Sequence, residues 1–306
     1  MMPERLISVV IPSYNYEHYL PQAVSSVVFQ THPNLELVIV DDASIDGSAA
    51  VIKSLEQQYA GRFSGGMQVL LKQRNEGAHA AINTGIRSAK GELIAILNAD
   101  DLYESNRLEL MAQAMGDSAR FAFSAVRCID EHWERLQTEQ AQAFEAIQRK
   151  ISGKRFVALS AMAENVAIST GNLLFEKKLF SELGGFKNYK YVHDYDFFLR
   201  ACLLAEPIFV QDTAYLYRLH GQNSFTRLAE EGLRENRMVW LDVYRDIRKG
   251  RVQNPVILQN PDYIAEFYTA VCSEGEKKQK LWKLSLNPAI RAGVAVLKKR
   301  HHVEGT

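Results

Sequence analysis

The chain of 306 residues carries 36 basic and 36 acidic side chains, is 47% apolar and 24% charged, and weighs 34.6 kDa. That balance suits one large or two small folded domains whose core needs no disulfides, and it excludes a disordered or collagen-like chain. A formal net charge of zero excludes the global electrostatic footprint of a nucleic-acid binder.

Three widely spaced cysteines, Cys128, Cys202 and Cys272, form no CxxC. They imply neither a disulfide framework nor a zinc ribbon, and a reducing cytoplasm is expected. The first residues show no signal-peptide pattern. No apolar stretch reaches the roughly 18–20 residues that span a bilayer.

Residues 6–11 form a short β-branched run that predicts a buried strand. Leu20, Val24 and Val27 then recur at helical spacing within residues 19–30. Residues 35–40 read as a second strand, followed by a helix with Ile52, Leu55 and Tyr59 on one face. Residues 67–71 predict a third strand, 78–89 a helix with Ile82 and Ile86 inward, and 93–97 a fourth strand. Such alternation predicts an α/β fold with a mostly parallel sheet and helices on both faces. Beyond Asp101 the pattern changes. Strands are expected at 121–126, 173–175 and 214–219, and a helix at 195–205. Residues 131–150, rich in Gln, Glu and Ala, predict one helix or a mobile helical insertion. From Phe225 onward the chain reads as mainly helical, without repeats or a low-complexity linker.

In open α/β sheets ligands bind beyond the carboxyl ends of the strands. There the chain places Pro12-Ser13-Tyr14-Asn15, then Asp41-Asp42, then Asn98-Ala99-Asp100-Asp101. Asp41 and Ser44 are equally well read as turn residues, but both Asp pairs in one crevice are hard to justify as packing. The loop after the first strand contains no glycine, which argues against a dinucleotide fingerprint. No phosphate loop is present either, so a divalent cation is expected to neutralise bound phosphates through Asp100 and Asp101. Tyr14 offers a ring on which a base can stack.

These residues resemble family 2 glycosyltransferases of the GT-A fold. The resemblance rests on Ile11–Asn15, Val40–Ser44 and Asn98–Asp101, with Asn75-Glu76-Gly77, Asn83-Thr84-Gly85 and Ala89–Glu92 between them. Thr170-Gly171-Asn172, Gly184-Gly185-Phe186, His193–Asp196 and Tyr217–His220 continue it, over roughly residues 6–225. It implies metal-dependent, inverting transfer of a sugar from a UDP- or dTDP-type nucleotide diphosphate sugar to a hydroxyl, using Mn²⁺ or Mg²⁺. Pro12, Tyr14, Asp42 and Asp100 are then expected at the nucleotide. Asp101, Asp100 and His220 are expected at the metal, with Asp101 the direct ligand. Gly171, Asn172 and His193 are expected beside sugar and acceptor, and Asp194 as the general base. Two positions depart from the commoner motif: Asn98 stands where Asp is usual, and His193 where Glu is usual.

Simpler roles compete for several of these residues. Asp196 suits the first turn of a helix, and His220 a plain loop position. Tyr189, Tyr191, Phe197 and Phe198 suit core or acceptor wall, and the cysteines inert packing.

The expected division is a nucleotide-sugar-binding half at 1–105, an acceptor-binding half at 106–225 and a helical extension at 226–306. The acceptor is expected to be a glycan or lipid-linked glycan, in bacterial surface polysaccharide or glycoconjugate synthesis. Segment 277–300 is basic and carries Trp282 among aliphatic residues. It reads equally as a peripheral membrane contact or as a solvated helix face. The alternatives are a nucleotidyltransferase, whose glycine-rich basic loop is missing, and a catalytically inactive nucleotide-sugar-binding module.

Overall fold

The computed structural model describes residues 4–154, 156–220 and 229–259. Cys272, the segment 277–300 and most of the expected helical extension lie outside the described residues.

The first half follows the expected alternation. Strands β1 (Ile7–Ser13), β2 (Leu35–Asp41), β3 (Gly66–Leu71) and β4 (Leu93–Ile96) alternate with helices α1 (Leu20–Val28), α2 (Ser48–Tyr59) and α3 (Ala78–Ser88). β2 and β4 are buried along their whole length, which explains their nearly unbroken apolar runs. Period-two alternation divides β1 between two cores. Ile7, Val9 and Ile11 pack under α1 and α2, while Val10 packs under α3 with Val38 and Val40. Truncating one of these large buried side chains to Ala should cost about 2–5 kcal/mol.

The second half is mixed. It contains β5 (Leu102–Tyr103), α4 (Arg107–Met115), β6 (Phe121–Ile129), α5 (Glu139–Arg149), α6 (Ala158–Ala163), β7 (Leu173–Glu176) and α7 (Lys177–Leu183). It continues through α8 (His193–Leu204), β8 (Ile208–Arg218), α9 (Ala229–Arg248) and α10 (Pro255–Gln259). All the strands join one eight-stranded sheet in the order β3-β2-β1-β4-β7-β6-β8-β5. The β3-β2-β1-β4 part is parallel. β7 runs antiparallel to both neighbours and β5 antiparallel to β8, while β6 and β8 are parallel with an irregularity at Ser124/Ala125.

The expected helix over 131–150 is shorter than its composition suggests. Residues 130–134 form a turn, in which Asp130 Oδ1 accepts from the amides of His132 and Glu134. The helix starts only where the Thr138 side chain caps it. Phe197 and Phe198 are core, with Phe197 stacked on Phe186 at 4.1 Å between centroids. Cys128 and Cys202 are buried and unpaired, and burial pushes the Cys128 thiol up to about 12. Among the described residues no helix is long and apolar enough to cross a membrane.

This topology builds the crevice. β1 pairs with β2 on one side and β4 on the other, all parallel. The segments after these three strands therefore leave the sheet at one edge, where the connections diverge.

Candidate active site

A cavity of about 670 Å³ opens at that edge. Pro12, Tyr14, Asp42, Asp100, Asp101, His193 and Asp194 all line it. The end of β1 supplies Pro12, the loops after β1, β2 and β4 supply Tyr14, Asp42, Asp100 and Asp101, and the first turn of α8 supplies the last two.

Loop-to-loop hydrogen bonds hold one wall. Asn15 N donates to Ser44 Oγ at 2.9 Å, and Asn15 Oδ1 accepts from Ile45 N at 2.9 Å. Asp41 spends its carboxylate on Ser44, whose amide and hydroxyl it accepts at 3.0 and 2.5 Å. Asp41 is thus a turn residue, and Asp42 is the one that meets the cavity. Asp42 is itself well occupied. It pairs with Lys72 Nζ at 2.5 Å and accepts from the amides of Glu76 (3.1 Å) and Gly77 (2.7 Å). Tyr14 keeps 40% of its surface exposed, so its ring is free to stack on a ligand.

The paired acids after β4 differ in character. Asp101 is sealed in, and burial together with the charge of Asp100 pushes its carboxyl well above the usual range. Its Oδ2 accepts from the Tyr215 hydroxyl and from Asn98 Nδ2 at 3.1 Å, and its Oδ1 from Arg218 N at 2.7 Å. Both oxygens of the expected direct metal ligand are therefore engaged by the protein. Asp100 Oδ2 instead faces His220 Nε2 at 3.1 Å, and His220 stacks on Tyr19 with centroids 5.1 Å apart. Arg218 locks this corner, donating to the carbonyls of Asp100, Asp130 and Glu131 and to Gln22 Oε1.

Asp194 lines the same cavity from the first turn of α8. Burial raises its carboxyl above the ordinary aspartate range, against the opposing charge of His193, and its Oδ2 accepts from Asn165 Nδ2 at 3.0 Å. Burial lowers His193, which lies 3.2 Å from Thr170 Oγ1. Asp196, two residues further in the same turn, is wholly buried and tied to Arg200 at 2.5 Å and Lys187 at 3.0 Å. It is a structural ion pair.

Gly171 and Asn172, expected beside the sugar, are not among the cavity's lining residues. Asn172 is a core hub. Its Nδ2 donates to the carbonyls of Ser124 (2.8 Å) and Ala167 (3.0 Å). Its Oδ1 accepts from Ser124 N (3.0 Å), Ser124 Oγ (2.8 Å) and the buried Arg107 Nη2 (3.0 Å). Gly171 lets Tyr215 approach, since a Cβ there would lie 2.0 Å from the Tyr215 hydroxyl. The motif aims its neighbours, and Thr170 is the member that reaches the cavity.

Tyr16, Asn165, Lys190 and Asn236 line the cavity without a separate sequence signal. Tyr16 sits beside Asp100 with a hydroxyl pushed up by burial and then by the two acids. Asn75 and Tyr217, from the motifs of the resemblance, and Tyr191, expected in core or acceptor wall, complete the polar and aromatic wall. Phe144 and Ile147 of α5 form an apolar one. A polar residue after a strand is legible from sequence. One brought in from a distant helix is not.

The described residues contain no group of three or more His, Cys, Asp or Glu arranged for a metal ion. The carboxylate of Asp100 and the imidazole of His220 nevertheless offer one oxygen and one nitrogen side by side. That donor pair suits a cation that shares its remaining positions with phosphate oxygens and water.

A family model described as glycosyl transferase family 2 matches residues 8–184. An uncharacterized glycosyltransferase of Nostoc sp. is 39% identical over 112 residues, which are 37% of this chain and 33% of that protein. The chain thus spans only a third of that relative. Glycosyltransferase GlyG of Streptococcus pneumoniae is 30% identical over 70% of both chains. The UDP-Glc:alpha-D-GlcNAc-diphosphoundecaprenol beta-1,3-glucosyltransferase WfgD of Escherichia coli is 25% identical, over 83% of this chain and 90% of that one. Among solved structures, S. aureus TarS 1-349 in complex with UDP-GlcNAc aligns with a TM-score of 0.60 at 17% identity, over 94% of this chain and 79% of that one. The mannosyltransferase PcManGT from Pyrobaculum calidifontis, in complex with GDP-Man and Mn²⁺, aligns with a TM-score of 0.60 at 17% identity, over 100% of this chain and 82% of that one. At such identity these two bear on the fold, which is GT-A. The family model, with the order of loops and acids around the crevice, gives the classification: the chain belongs to glycosyl transferase family 2.

Proposed function

We propose that this chain moves a sugar from a nucleotide diphosphate sugar to an acceptor hydroxyl, with inversion and with the help of Mn²⁺ or Mg²⁺. The observation that carries the reading is that Asp100, beside His220, and Asp194, its carboxyl raised by burial, line the same cavity.

Tyr14 and Pro12 receive the nucleobase, and Asp42 reads it through what remains of its acceptor capacity. A uridine or thymidine diphosphate sugar is the donor class. Asp100 and His220 hold the cation. When bound, it stabilises the charge that develops on the leaving diphosphate. We assign Asp101 a supporting part in that site, because its oxygens already serve Tyr215, Asn98 and the Arg218 amide and keep only part of their acceptor capacity. Asp194 takes the proton from the attacking hydroxyl, a contribution of typically 10²–10⁴-fold. Its raised pKa makes it a better base than an exposed aspartate. Asn165 and His193 orient it, and direct displacement needs no second nucleophilic carboxylate.

We assign residues 1–105 to the donor side, 106–225 to the acceptor side and 226–306 to an extension. A glycan or lipid-linked glycan acceptor fits the relatives named for such acceptors, and the setting is surface polysaccharide synthesis at the cytoplasmic face. Release of nucleoside diphosphate from a panel of UDP- and dTDP-sugars, with Mn²⁺ and with EDTA, tests the reading. Metal-dependent release that Asp194→Asn abolishes is expected. Release that is equal in EDTA contradicts it.

A further inference from the structure

Helix α8, which carries Asp194, begins without a cap of its own. Its N-cap residue is Val192, and no side chain there accepts a hydrogen bond. The amides that lead into such a helix need a partner from elsewhere. They find it on α9, which lies beyond the stretch that the family model matches.

Glu235 Oε1 accepts from Lys190 N at 2.9 Å, and its Oε2 accepts from Tyr191 N at 2.8 Å and Val192 N at 3.2 Å. One carboxylate thus holds three consecutive amides immediately before the turn that bears His193 and Asp194. A negative charge at a helix N-terminus is also favoured by the helix dipole. Two further contacts press α9 on the same segment. Gly232 lies against the Tyr191 ring so closely that a Cβ would come within 2.6 Å of it. Asp242 Oδ2 accepts from Lys187 Nζ at 3.1 Å and from the Tyr189 hydroxyl at 3.4 Å. Asn236, next to Glu235, lines the cavity together with Lys190, Tyr191 and Asp194.

We propose that Glu235 is a positioning residue for sugar transfer: its carboxylate fixes the 190–192 backbone and thereby the direction in which Asp194 points into the cavity. The proposal rests on the reading of Asp194 as base. A base must meet the hydroxyl within hydrogen-bond reach, and a displacement of about 1 Å can cost on the order of 10²-fold in rate. An amide cannot replace this carboxylate. Gln has one acceptor oxygen, and its NH₂ would confront an N–H that needs an acceptor.

The test uses the full chain with Glu235→Gln and Glu235→Asp. Amide hydrogen exchange at residues 190–192 should quicken about tenfold or more in Glu235→Gln. The amides of β1 and β2 should be unchanged. With a UDP-sugar and Mn²⁺, kcat should fall about tenfold to a hundredfold while KM and the affinity for UDP with Mn²⁺ stay within about twofold. Glu235→Asp, which keeps the charge, should lie between, and it serves alone if the Gln variant does not fold. Unchanged exchange overturns the proposal, and so does faster exchange with kcat within about twofold of wild type. Asp194→Asn tells two failures apart. If it keeps the wild-type rate, the base reading fails and takes this proposal with it. If it is inactive while Glu235→Gln is not, only the role of Glu235 fails.

Discussion

Asp100 and His220 meet at 3.1 Å although 120 residues separate them. Asp100 leaves the end of β4 and His220 follows β8, and the Arg218 side chain bonds the Asp100 carbonyl at 2.7 Å to hold the two loops together. The contact joins the loop after β4 to the end of β8, and the proposed reading seats the cation there.

Asp100→Asn and His220→Ala should each weaken Mn²⁺-dependent UDP binding by about tenfold or more. The weak binding that survives in EDTA should be unaffected. Calorimetry in the two conditions measures both. Equal affinity of the wild-type chain with and without Mn²⁺ would contradict the assignment.

Removing the ring of Tyr14 should cost about 1–3 kcal/mol of nucleoside diphosphate affinity, the usual worth of a base–aromatic stack. The loss should be felt by UDP and hardly at all by inorganic pyrophosphate, which has no base. A Tyr14→Ala variant that binds UDP as tightly as wild type would remove the ring from the base pocket.

Asn172→Ala should act on folding. It removes the side-chain acceptor of the Ser124 amide and one of the two acceptors of Arg107 Nη2, which keeps the Asn172 carbonyl, and leaving a buried donor unsatisfied costs about 1–3 kcal/mol. Urea unfolding should show that loss. A variant of native stability with altered acceptor preference would return Asn172 to the sugar site.

The sign of the pH effect at Asp194 is fixed by its environment. Burial keeps the carboxyl protonated to a higher pH in the native state than in the unfolded chain. Ionisation above that raised pKa therefore costs stability. Asp194→Asn, which cannot ionise, should be at least as stable as wild type at pH 8, with the difference vanishing below about pH 3.9. The transfer rate should rise with pH along an acid limb displaced above the ordinary aspartate range. Thermal unfolding and rates at several pH values check the two halves.

Much of this was legible in the chain. β1, β2 and β4 are almost wholly buried, so their apolar runs stand out, and the acids that follow β2 and β4 collect where parallel pairing puts them. The second half is harder to read. β6 and β8 pair in parallel across some 80 intervening residues, and no local pattern announces a partner so distant. Helix α4 does carry a signal in Leu108, Met111 and Met115, all buried, but its first residue is an arginine that becomes wholly buried. The resemblance puts Asn172 beside the sugar, and nothing in the sequence shows that its amide serves the core. The resemblance names Asp101 as the direct ligand, and the sequence does not show how differently the two adjacent acids are engaged; the Tyr215 and Arg218 contacts do. Glu235 had no signature, since a carboxylate that caps another helix resembles any solvated helix glutamate.

The most direct test of the account is turnover of Asp194→Asn, measured beside its affinity for UDP with Mn²⁺. The amide keeps the shape and the hydrogen bond from Asn165 but is far too weak a base. Transfer should fall by about 10²-fold or more while UDP affinity stays within about twofold, because the lost interaction acts only in the transition state. A variant that retains turnover within about tenfold of wild type would show that another group takes the proton.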